Sequence, residues 1–430
     1  MKHALVDMPL GLHEFWLPPH RNRRSFEPTM LDLRRQPLRA LYIVCKSFGT
    51  VVRVPYWAIR YVFVGARPLP SWSWKRCMQV NITRESATLT SRTGFQVILP
   101  SSKSLAVSVG LGVKAVWVEA TPHLVHGDLK SHVYTCDVDY ARIPGYWHDK
   151  TGLDTEINAP PSPGEKVLLY FHGGAFIFGS AHPHELHGTV IRDLVNSYSS
   201  FNRALAIEYR LTSGHLNNFT NSFPAAILDA LAGYSHLITE CGFSPEDIVI
   251  GGDSAGGNLV LALTRYLVEA RSLPEADRIP SPPGAILLIS PWTDIGTSHK
   301  LSGQTLRTHS ATDFVPDPYR GYVSAVSSNY CGELGYPGAA NSNPYLSPAS
   351  VHPDMPPVSF KGFPKTIVIA GSAEYLIYPI RELVRRMKED LGEGMITYHE
   401  EKDAVHDYLS LGFWEPEARN TFAKLETWLS

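Results

Sequence analysis

The sequence lacks the long apolar runs of a membrane-spanning or secreted protein. No stretch reaches the ~18 uncharged apolar residues that a spanning helix needs. Near the amino end, Asp7, Pro9, His13 and Glu14 interrupt the apolar residues before the core of a signal peptide could form. Zinc-finger, RNP and helix-turn-helix signatures are absent as well, so nucleic acid is not an expected partner. We therefore expect an intracellular protein without a signal peptide.

Cysteine and charge are also scarce. The five cysteines are odd in number, widely spread and include no CxxC pair, which excludes a disulfide scaffold and a zinc ribbon and fits a reducing compartment. Charged residues make up 19% of the chain, below the ~25% usual in soluble domains, whereas 44% of the residues are hydrophobic. The 430 residues can therefore bury a large core, either in two or three domains of ~150 residues or in one large α/β domain with additions.

The charge that is present is distributed unevenly. Residues 1–76 carry 13 basic and four acidic residues, a net of +9, and the remainder carries a net of −11. A basic arm on an acidic body suggests an anionic partner for the arm, with a membrane surface as the first candidate.

Within this arm, basic residues recur every seven positions: Arg39, Lys46, Arg53, Arg60 and Arg67. Because seven residues is nearly two helical turns, the first three would line one stripe of a helix, which Pro55 should break near Val54. The stripe is either the solvated face of a helix that packs on the body or part of an interfacial helix. The second interpretation predicts peripheral membrane contact through residues 38–66.

The chain divides into three parts by composition. Residues 1–76 form the basic arm and helices of a cap, residues 77–164 the first strands of a sheet, and residues 165–430 a catalytic core. The core contains an insertion at about 292–360, rich in Ser, Pro, Asn and Tyr, which is typical of a lid or binding loop. The strands expected in the second part are Phe95–Leu99, Ala115–Glu119 and Val133–Val138.

In the core, short apolar strands alternate with amphipathic helices. The expected strands are Val167–Phe171, Ala204–Glu208, Ile248–Gly251, Ala285–Ile289, Thr366–Ala370 and Met395–His399. The expected helices are Pro183–Asn196, Pro224–Glu240, Asn258–Glu269 and Ile380–Leu391. This alternation predicts an α/β fold with a mostly parallel central sheet that helices cover on both faces.

A Gly-x-Ser-x-Gly motif follows the strand at Ile248–Gly251 and precedes a helix. In such a nucleophile elbow Ser254 lies on a strained turn, and Gly252 and Gly256 allow close approach of the backbone. The helix that begins near Ala255 would stabilise negative charge with its amino end. A phosphate-binding or dinucleotide-binding loop would need motifs that are absent here.

A second motif follows the strand at Val167–Phe171. The small residues Gly173 and Gly174 can point their backbone N–H groups at a developing oxyanion, together with the N–H of Ala255. His172 would hold this loop in place. The motif could also be no more than a tight turn, but its pairing with the serine motif favours an oxyanion hole.

A serine nucleophile needs a base and an acid, which follow it along the chain in this kind of fold. Glu374 comes just after a late strand and is our choice for the acid, and His406, after the last strand, is our choice for the base. Asp403 and Asp407 are the alternatives for the acid. They are disfavoured because the acid must reach the ring nitrogen that faces away from the serine.

These motifs together resemble the hormone-sensitive-lipase-like carboxylesterases of the α/β-hydrolase fold. The resemblance covers about residues 165–412, and residues 38–76 are similar to the long amino-terminal extension of fungal members. It implies ester hydrolysis through an acyl-enzyme, with a helical cap and without a cofactor. The residues that carry it are His172–Ala175, Glu208–Leu211, Phe223–Ala226, Asp229, Gly252–Gly256, Ser290–Trp292, Asp294, Glu374 and His406.

Three departures from the family pattern are present. Ala175 replaces the third glycine of the oxyanion loop, which should cost little because the backbone N–H is kept. The acid motif has Glu374 in place of its first aspartate and Tyr378 in place of its second. The loop after Leu211 continues with Thr212, which indicates an altered loop beneath the cap.

The expected function is therefore hydrolysis of a small to medium apolar carboxylic ester. An acyltransferase that uses the same triad, and an inactive member that only binds a ligand, remain open alternatives, as does the oligomeric state. We expect no cofactor and no metal, because His182, His184 and His187 have ligand-like spacing without a ligand from a third element. Asp229 and Asp294 are expected to be structural.

Overall fold

A central eight-stranded sheet organises the part of the chain that the structure describes. The structure is a computed structural model, and it describes residues 33, 36–93, 113–215, 218–296, 298–301, 309–315 and 322–428. The expected strand Phe95–Leu99 lies outside these residues.

The strands are numbered in chain order as β1 Lys114–Val118, β2 Ile143–Asp149, β3 Lys166–Phe171, β4 Phe201–Ile207, β5 Ser213–His215, β6 Asn218–Thr220, β7 Ile248–Asp253, β8 Ala285–Ile289, β9 Lys365–Gly371 and β10 Ile396–Glu401. The large sheet has the order β1-β2-β4-β3-β7-β8-β9-β10, and β5 pairs with β6 in a small hairpin. Only β2 runs antiparallel to its neighbours, so the mostly parallel sheet expected from the sequence is confirmed.

The helices are α1 Leu38–Arg60, α2 Trp74–Thr93, α3 Gly127–Cys136, α4 Leu186–Ser197, α5 Ala225–Thr239, α6 Ala255–Glu269, α7 Ser298–Leu301, α8 Tyr322–Cys331, α9 Gly338–Ser342, α10 Ile377–Leu391 and α11 Glu417–Glu426. The expected core strands and helices are all present, with ends that differ from the expectation by at most three residues.

The sheet separates two hydrophobic cores because successive strand residues point to opposite faces. In β3, Leu169 and Phe171 belong to the core that α5, α6 and α10 cover. The intervening Leu168 and Tyr170 belong to the core that α4 and α11 cover. All strands of the parallel region end at one edge of the sheet, where their following loops can meet.

The amino-terminal helices differ from the expectation at Pro55. The helix does not break near Val54 but continues to Arg60, and Pro55 lies on its exposed side. Proline removes the hydrogen bond to the carbonyl four residues earlier, and on an exposed face water can replace that bond. The interruption between the two helices comes instead at residues 61–73.

The basic stripe of α1 faces protein. Lys46 Nζ lies 2.5 Å and Arg53 Nη1 3.0 Å from the carboxylate of Glu85 in α2. Several apolar residues of α1 are exposed, among them Phe48 at 69% and Val44 at 65%, whereas Trp57 is buried. The expectation of a solvated basic stripe on α1 is therefore wrong for Lys46, whereas the Arg53 side chain pairs with Glu85 and is still 43% exposed.

The expected strand Val133–Val138 is also wrong, since most of it lies in α3. Leu129, Val133 and Cys136 recur at helical spacing and turn toward the core. Asp137, with a φ of 49°, adopts the left-handed conformation that ends the helix. The run of apolar and polar residues therefore followed a period of 3.6, not 2.

The expected division of the chain at residue 76 falls inside α2, so we propose that the boundary lies after Thr93. In the insertion at 292–360, the described residues include α7, α8 and α9. Among the described helices, none is both long and apolar enough to cross a bilayer.

Candidate active site

Ser254 lies in a strained turn between β7 and α6. Its φ of 50° and ψ of −114° are outside the regions that non-glycine residues favour. The Ser254 N–H donates to the Ile289 carbonyl at 2.9 Å, and the Ser254 carbonyl accepts from the Trp292 N–H at 2.9 Å. The neighbouring strand β8 and the loop after it therefore hold the strained backbone in place.

The glycines of the motif are required by close backbone contact. A Cβ atom on Gly256 would lie 1.9 Å from the Phe171 carbonyl oxygen, and one on Gly252 would lie 2.6 Å from the backbone of Gly256. Because these neighbours are backbone atoms, they cannot move aside. The elbow is thus packed directly against the end of β3.

The loop after β3 is packed just as closely. A Cβ atom on Gly173 would lie 2.1 Å from Asp253 Oδ2, and Gly174 has a φ of 113°. No described residue accepts a hydrogen bond from the backbone N–H of Gly173 or Gly174. Ala255 is the first residue of α6, where N–H groups have no partner within the helix. These three N–H groups are therefore available to a ligand.

Ala175 replaces the third glycine of the family's oxyanion loop, and this replacement costs more than we expected from the backbone N–H that it keeps. Ala175 has a φ of 53°, in the left-handed region where a Cβ atom costs about 1 kcal/mol. The family's glycine would avoid this strain.

His172 is a buried support for the loop. Its Nδ1 lies 2.7 Å from the Gly173 oxygen, and its ring stacks on Tyr209 with a centroid separation of 4.3 Å. The Tyr209 hydroxyl donates to the His172 carbonyl at 2.6 Å. This geometry supports the structural role expected for His172.

Two aspartates of the sequence motifs, Asp229 and Asp294, have partners outside the serine motif. Asp229 binds Arg210 in a buried ion pair with a 2.8 Å Nη2–Oδ1 distance. Asp294 accepts hydrogen bonds from the Gly296 N–H and the Ser298 hydroxyl at the start of the insertion. Both contacts support structural roles.

Glu374 and His406 meet beyond the ends of β9 and β10. Both are buried, with exposures of 0% and 5%, and Glu374 Oε2 lies 3.6 Å from His406 Nδ1. This distance is an ion-pair contact, longer than a hydrogen bond. The same Glu374 oxygen accepts a 2.6 Å hydrogen bond from the Ser290 hydroxyl, which fixes the carboxylate.

The two alternative acids differ in position. The carboxylate of Asp403 accepts a hydrogen bond from the Ser71 hydroxyl at 2.7 Å and is engaged outside the site. Asp407, in contrast, places Oδ2 3.1 Å from His406 Nε2. His406 therefore has one carboxylate at each ring nitrogen.

Burial and the neighbouring charges shift the pKa values of His406 and Asp407. Burial by itself lowers the pKa of His406, but the carboxylates of Asp407 and Glu374 outweigh it and hold the pKa well above its ordinary value. Burial raises the pKa of Asp407 to about 7, against the lowering effect of His406 and with a further contribution from Asp253.

Asp253, beside the serine, has its own partners. Tyr170 donates a 2.8 Å hydrogen bond to Asp253 Oδ1, and His187 Nε2 lies 3.3 Å from Oδ2. His187 therefore points at a carboxylate within the serine motif. In the described residues, no group of three metal-ligating side chains is assembled.

Asp313 is a residue of the site that sequence reasoning missed. This buried carboxylate in the insertion accepts hydrogen bonds from the Tyr375 N–H at 2.7 Å and from the His406 N–H at 3.4 Å. Arg84 of α2 in turn donates to the carbonyls of Asp313 and Ala311. Asp313 thus connects the loops of Glu374 and His406, and no local motif marks it.

The chain is similar to known esterases. A model of the α/β hydrolase fold family matches residues 168–410, more than half of the chain. An esterase of Acinetobacter venetianus is 26% identical over 63% of this chain and 76% of its own length. An acetyl-hydrolase of Streptomyces hygroscopicus is 29% identical over 50% of this chain, which spans 60% of that protein.

Solved structures show the same architecture. The esterase EstE5 soaked with p-nitrophenyl butyrate superposes with a TM-score of 0.52, at 22% identity over 82% of this chain and 98% of its own. An esterase of the bacterial hormone-sensitive lipase family superposes with a TM-score of 0.51, at 20% identity over 88% of this chain and 96% of its own. At such identities the likeness shows the fold alone.

Proposed function

The chain belongs to the α/β-hydrolase-fold family and is an ester hydrolase, and from this premise we propose that it works through a serine acyl-enzyme. The resemblance recognised in the sequence motifs is thereby confirmed at the level of the family. The observation that carries the mechanism is the strained Ser254 backbone at the β7–α6 turn, next to a loop with two unpaired glycine N–H groups.

In this mechanism the Ser254 hydroxyl attacks the ester carbonyl while His406 accepts its proton. The ester oxygen becomes negative in the tetrahedral intermediate, where the N–H groups of Gly173, Gly174 and Ala255 stabilise it. His406 then donates the proton to the departing alcohol, and the acyl group stays on Ser254.

Water completes the reaction by the same steps. His406 accepts a proton from water as the water oxygen attacks the acyl group, and then returns this proton to Ser254. Glu374 holds the Nδ1 side of the imidazole and stabilises the imidazolium in both halves of the reaction. Burial of Glu374 strengthens this electrostatic effect.

We propose a small to medium apolar ester as the substrate. The names of the similar proteins, an esterase and an acetyl-hydrolase, support a short acyl group. Apolar rings lie close to the oxyanion loop: Phe176 stacks on Tyr330 of α8 with centroids 3.7 Å apart. Both rings are buried, with exposures of 0% and 1%, so they pack behind the loop as part of the core.

The test is a panel of chromogenic esters of graded acyl length, together with labelling by an organophosphate. We expect turnover that Ser254→Ala abolishes without changing the melting temperature, and a single adduct on Ser254 by mass spectrometry. An adduct elsewhere contradicts the assignment. Product formation only when an acceptor alcohol is present identifies an acyltransferase, and binding without turnover identifies an inactive member.

We further propose that residues 38–66 make peripheral contact with a membrane, through the apolar face of α1. This face presents Phe48, Val44 and Ile59, each more than 60% exposed, and continues into Val62 and Phe63. Exposed apolar surface of this extent is unusual on a soluble monomer. Of the four basic residues of α1, Lys46 and Arg53 pair with Glu85, so the charges that would attract anionic lipid are those of Arg39 and Arg60.

A vesicle sedimentation assay tests this contact with phosphatidylcholine–phosphatidylserine vesicles. We expect the protein to sediment, with a fraction that stays bound at high salt because apolar insertion is not screened. The triple substitution Leu41/Phe48/Val52→Ser should abolish this fraction. The matched control Tyr134/Leu153/Ile157→Ser removes exposed apolar residues elsewhere and should still bind. A different outcome would contradict the membrane contact. If the protein stays in the supernatant and is a dimer that Leu41/Phe48/Val52→Ser converts to a monomer, the face binds a second copy of the chain.

The proposed setting is an intracellular, reducing compartment. All five cysteines are free thiols, and four of them are buried. Alkylation of the denatured protein without reductant should modify all five, and a disulfide-linked peptide in the digest would contradict the proposal.

A further inference from the structure

Asp407 contacts the ring nitrogen of His406 that would accept the proton of Ser254 in the proposed mechanism. The nitrogen that contacts Glu374 is Nδ1, which leaves Nε2 for Ser254 in the proposed mechanism. Yet Nε2 lies 3.1 Å from Asp407 Oδ2, an ion-pair contact that stabilises a proton on Nε2. An unprotonated Nε2 facing an ionised carboxylate would place two lone pairs against each other.

The surroundings keep Asp407 in this position. Its backbone has a φ of 48° and its N–H donates to the Ser290 hydroxyl at 3.1 Å, the same hydroxyl that binds Glu374. Asp407 Oδ1 is buried, and no described residue donates a hydrogen bond to it. Ser290 Oγ thus joins the carboxylate of Glu374 to the backbone of Asp407, the residue that follows His406.

Other charged groups face this site from several elements. Asp253 at the end of β7 acts on Asp407, and its own partners are His187 of α4 and Tyr170 of β3. Asp313 of the insertion lies beside the His406 backbone. Asp253 and Glu374 oppose loss of the shared proton, whereas His187, whose own pKa is raised by Asp253 and Asp407 against the effect of burial, favours that loss when it is protonated.

We propose that Asp407 is a positioning residue that retains a proton on Nε2 of His406, and that this proton must leave before His406 can accept the proton of Ser254. The inference rests on the proposed serine mechanism. In the resting site one proton is shared by His406 Nε2 and Asp407. Its loss to solvent frees the Nε2 lone pair, and the Ser254 proton then takes its place as the acyl bond forms.

The direction of the pH effect follows. A base whose pKa is raised is unprotonated only above that raised pKa, so activity should be present at alkaline pH and lost as the pH falls. Removing the charge of Asp407 should move this acidic limb of the kcat/KM profile to lower pH by ~1–3 units, the usual effect of an opposite charge at such a distance. At alkaline pH the same variant should lose some activity, because Asp407 also stabilises the imidazolium. The two profiles should therefore cross.

The experiment compares the protein with Asp407→Asn and Asp407→Gly, both of which tolerate a positive φ. Glycine also removes the amide that could bind Nε2. Asp403→Asn is the matched control, since Asp403 lies in the same loop with a φ of 58° but bonds Ser71. The acidic limb of the kcat/KM profile should move to lower pH in both Asp407 variants and should be unchanged in Asp403→Asn.

A second measurement separates this inference from the ester-hydrolase mechanism. Nitrogen-15 NMR of the imidazoles, with the His406 signals assigned by their loss in His406→Gln, reports the pKa of His406 without turnover. We expect that pKa to fall in Asp407→Asn even if no ester of the panel is hydrolysed. An unchanged pKa overturns the proposal. A loss of ~10²-fold or more at every pH, with no shift of the limb, also overturns it and makes Asp407 the acid of the triad.

Discussion

The edge of the sheet that carries the proposed triad and the α1–α2 pair distribute polar and apolar residues in opposite ways. At the edge, the charged Glu374 and His406 are buried and the backbone is strained. On α1, basic residues turn inward to Glu85 while Phe48 and its neighbours remain exposed. This opposite distribution underlies the two proposals made above, a catalytic role for the edge of the sheet and a membrane contact for α1.

The contacts between these regions are specific. Trp72 donates a 2.8 Å hydrogen bond from Nε1 to the Asp403 carbonyl in the loop of His406. Arg76 pairs with Glu417 at 2.8 Å, and Arg84 binds the segment that holds Asp313. The helix pair is therefore attached directly to the loops that carry the proposed base and its support.

The largest effect expected at the catalytic edge is that of Glu374→Gln. Loss of the negative charge beside Nδ1 should lower kcat by ~10²–10⁴-fold, because the imidazolium loses its partner. Glu374→Asp, which keeps the charge, should recover part of the activity. Steady-state kinetics on the preferred ester decide this. A smaller effect from Glu374→Gln than from Asp407→Asn would reverse our assignment of the acid.

A smaller effect is expected at the junction of the two regions. Asp313→Ala leaves the buried N–H groups of Tyr375 and Phe314 without their acceptor, which should lower the free energy of unfolding by ~1–3 kcal/mol and reduce kcat with it. Denaturant unfolding and kinetics measure both quantities. Asp354→Ala, at an exposed carboxylate, is the control. Unchanged activity in the folded Asp313→Ala protein would show that this connection does not position the base.

The smallest effect is expected within the helix pair. Glu85→Gln removes the common partner of Lys46 and Arg53, which should cost ~1 kcal/mol and leave the kinetics on soluble esters unchanged. Limited proteolysis should then cleave within α1 more rapidly than in the parent protein. A large loss of activity would instead show that the two regions act as one.

The sequence could predict the part of the site that local motifs mark, and it could not predict the contacts between distant loops. Ser254 and the glycines are marked by local sequence, because a strained turn and close backbone contacts require particular residue types. Asp313 and the contact of Asp407 with Nε2 depend on loops distant in sequence, so no spacing reveals them. The misassigned α3 has β-branched and aromatic residues whose helical spacing became clear only from the core it contacts.

The sequence also could not predict which face of α1 points to the body. Its seven-residue period identifies a stripe of basic residues but not the direction in which the stripe points. That direction follows from residues distant in sequence, which are Glu85 on another helix and the core in which Trp57 is buried. The apolar face, which the sequence left open between packing on the body and insertion at an interface, is largely exposed.

The burial of Trp72 gives the helix pair a built-in optical reporter. Its indole is fully buried, stands edge-on to Trp414 at a centroid distance of 5.7 Å and is bonded to the loop of the proposed base. If the pair detached, water would reach this indole and the emission of the protein would shift to the red. Subtracting the spectrum of Trp72→Phe would isolate that signal, so attachment of the helices could be followed by fluorescence while the enzyme turns over.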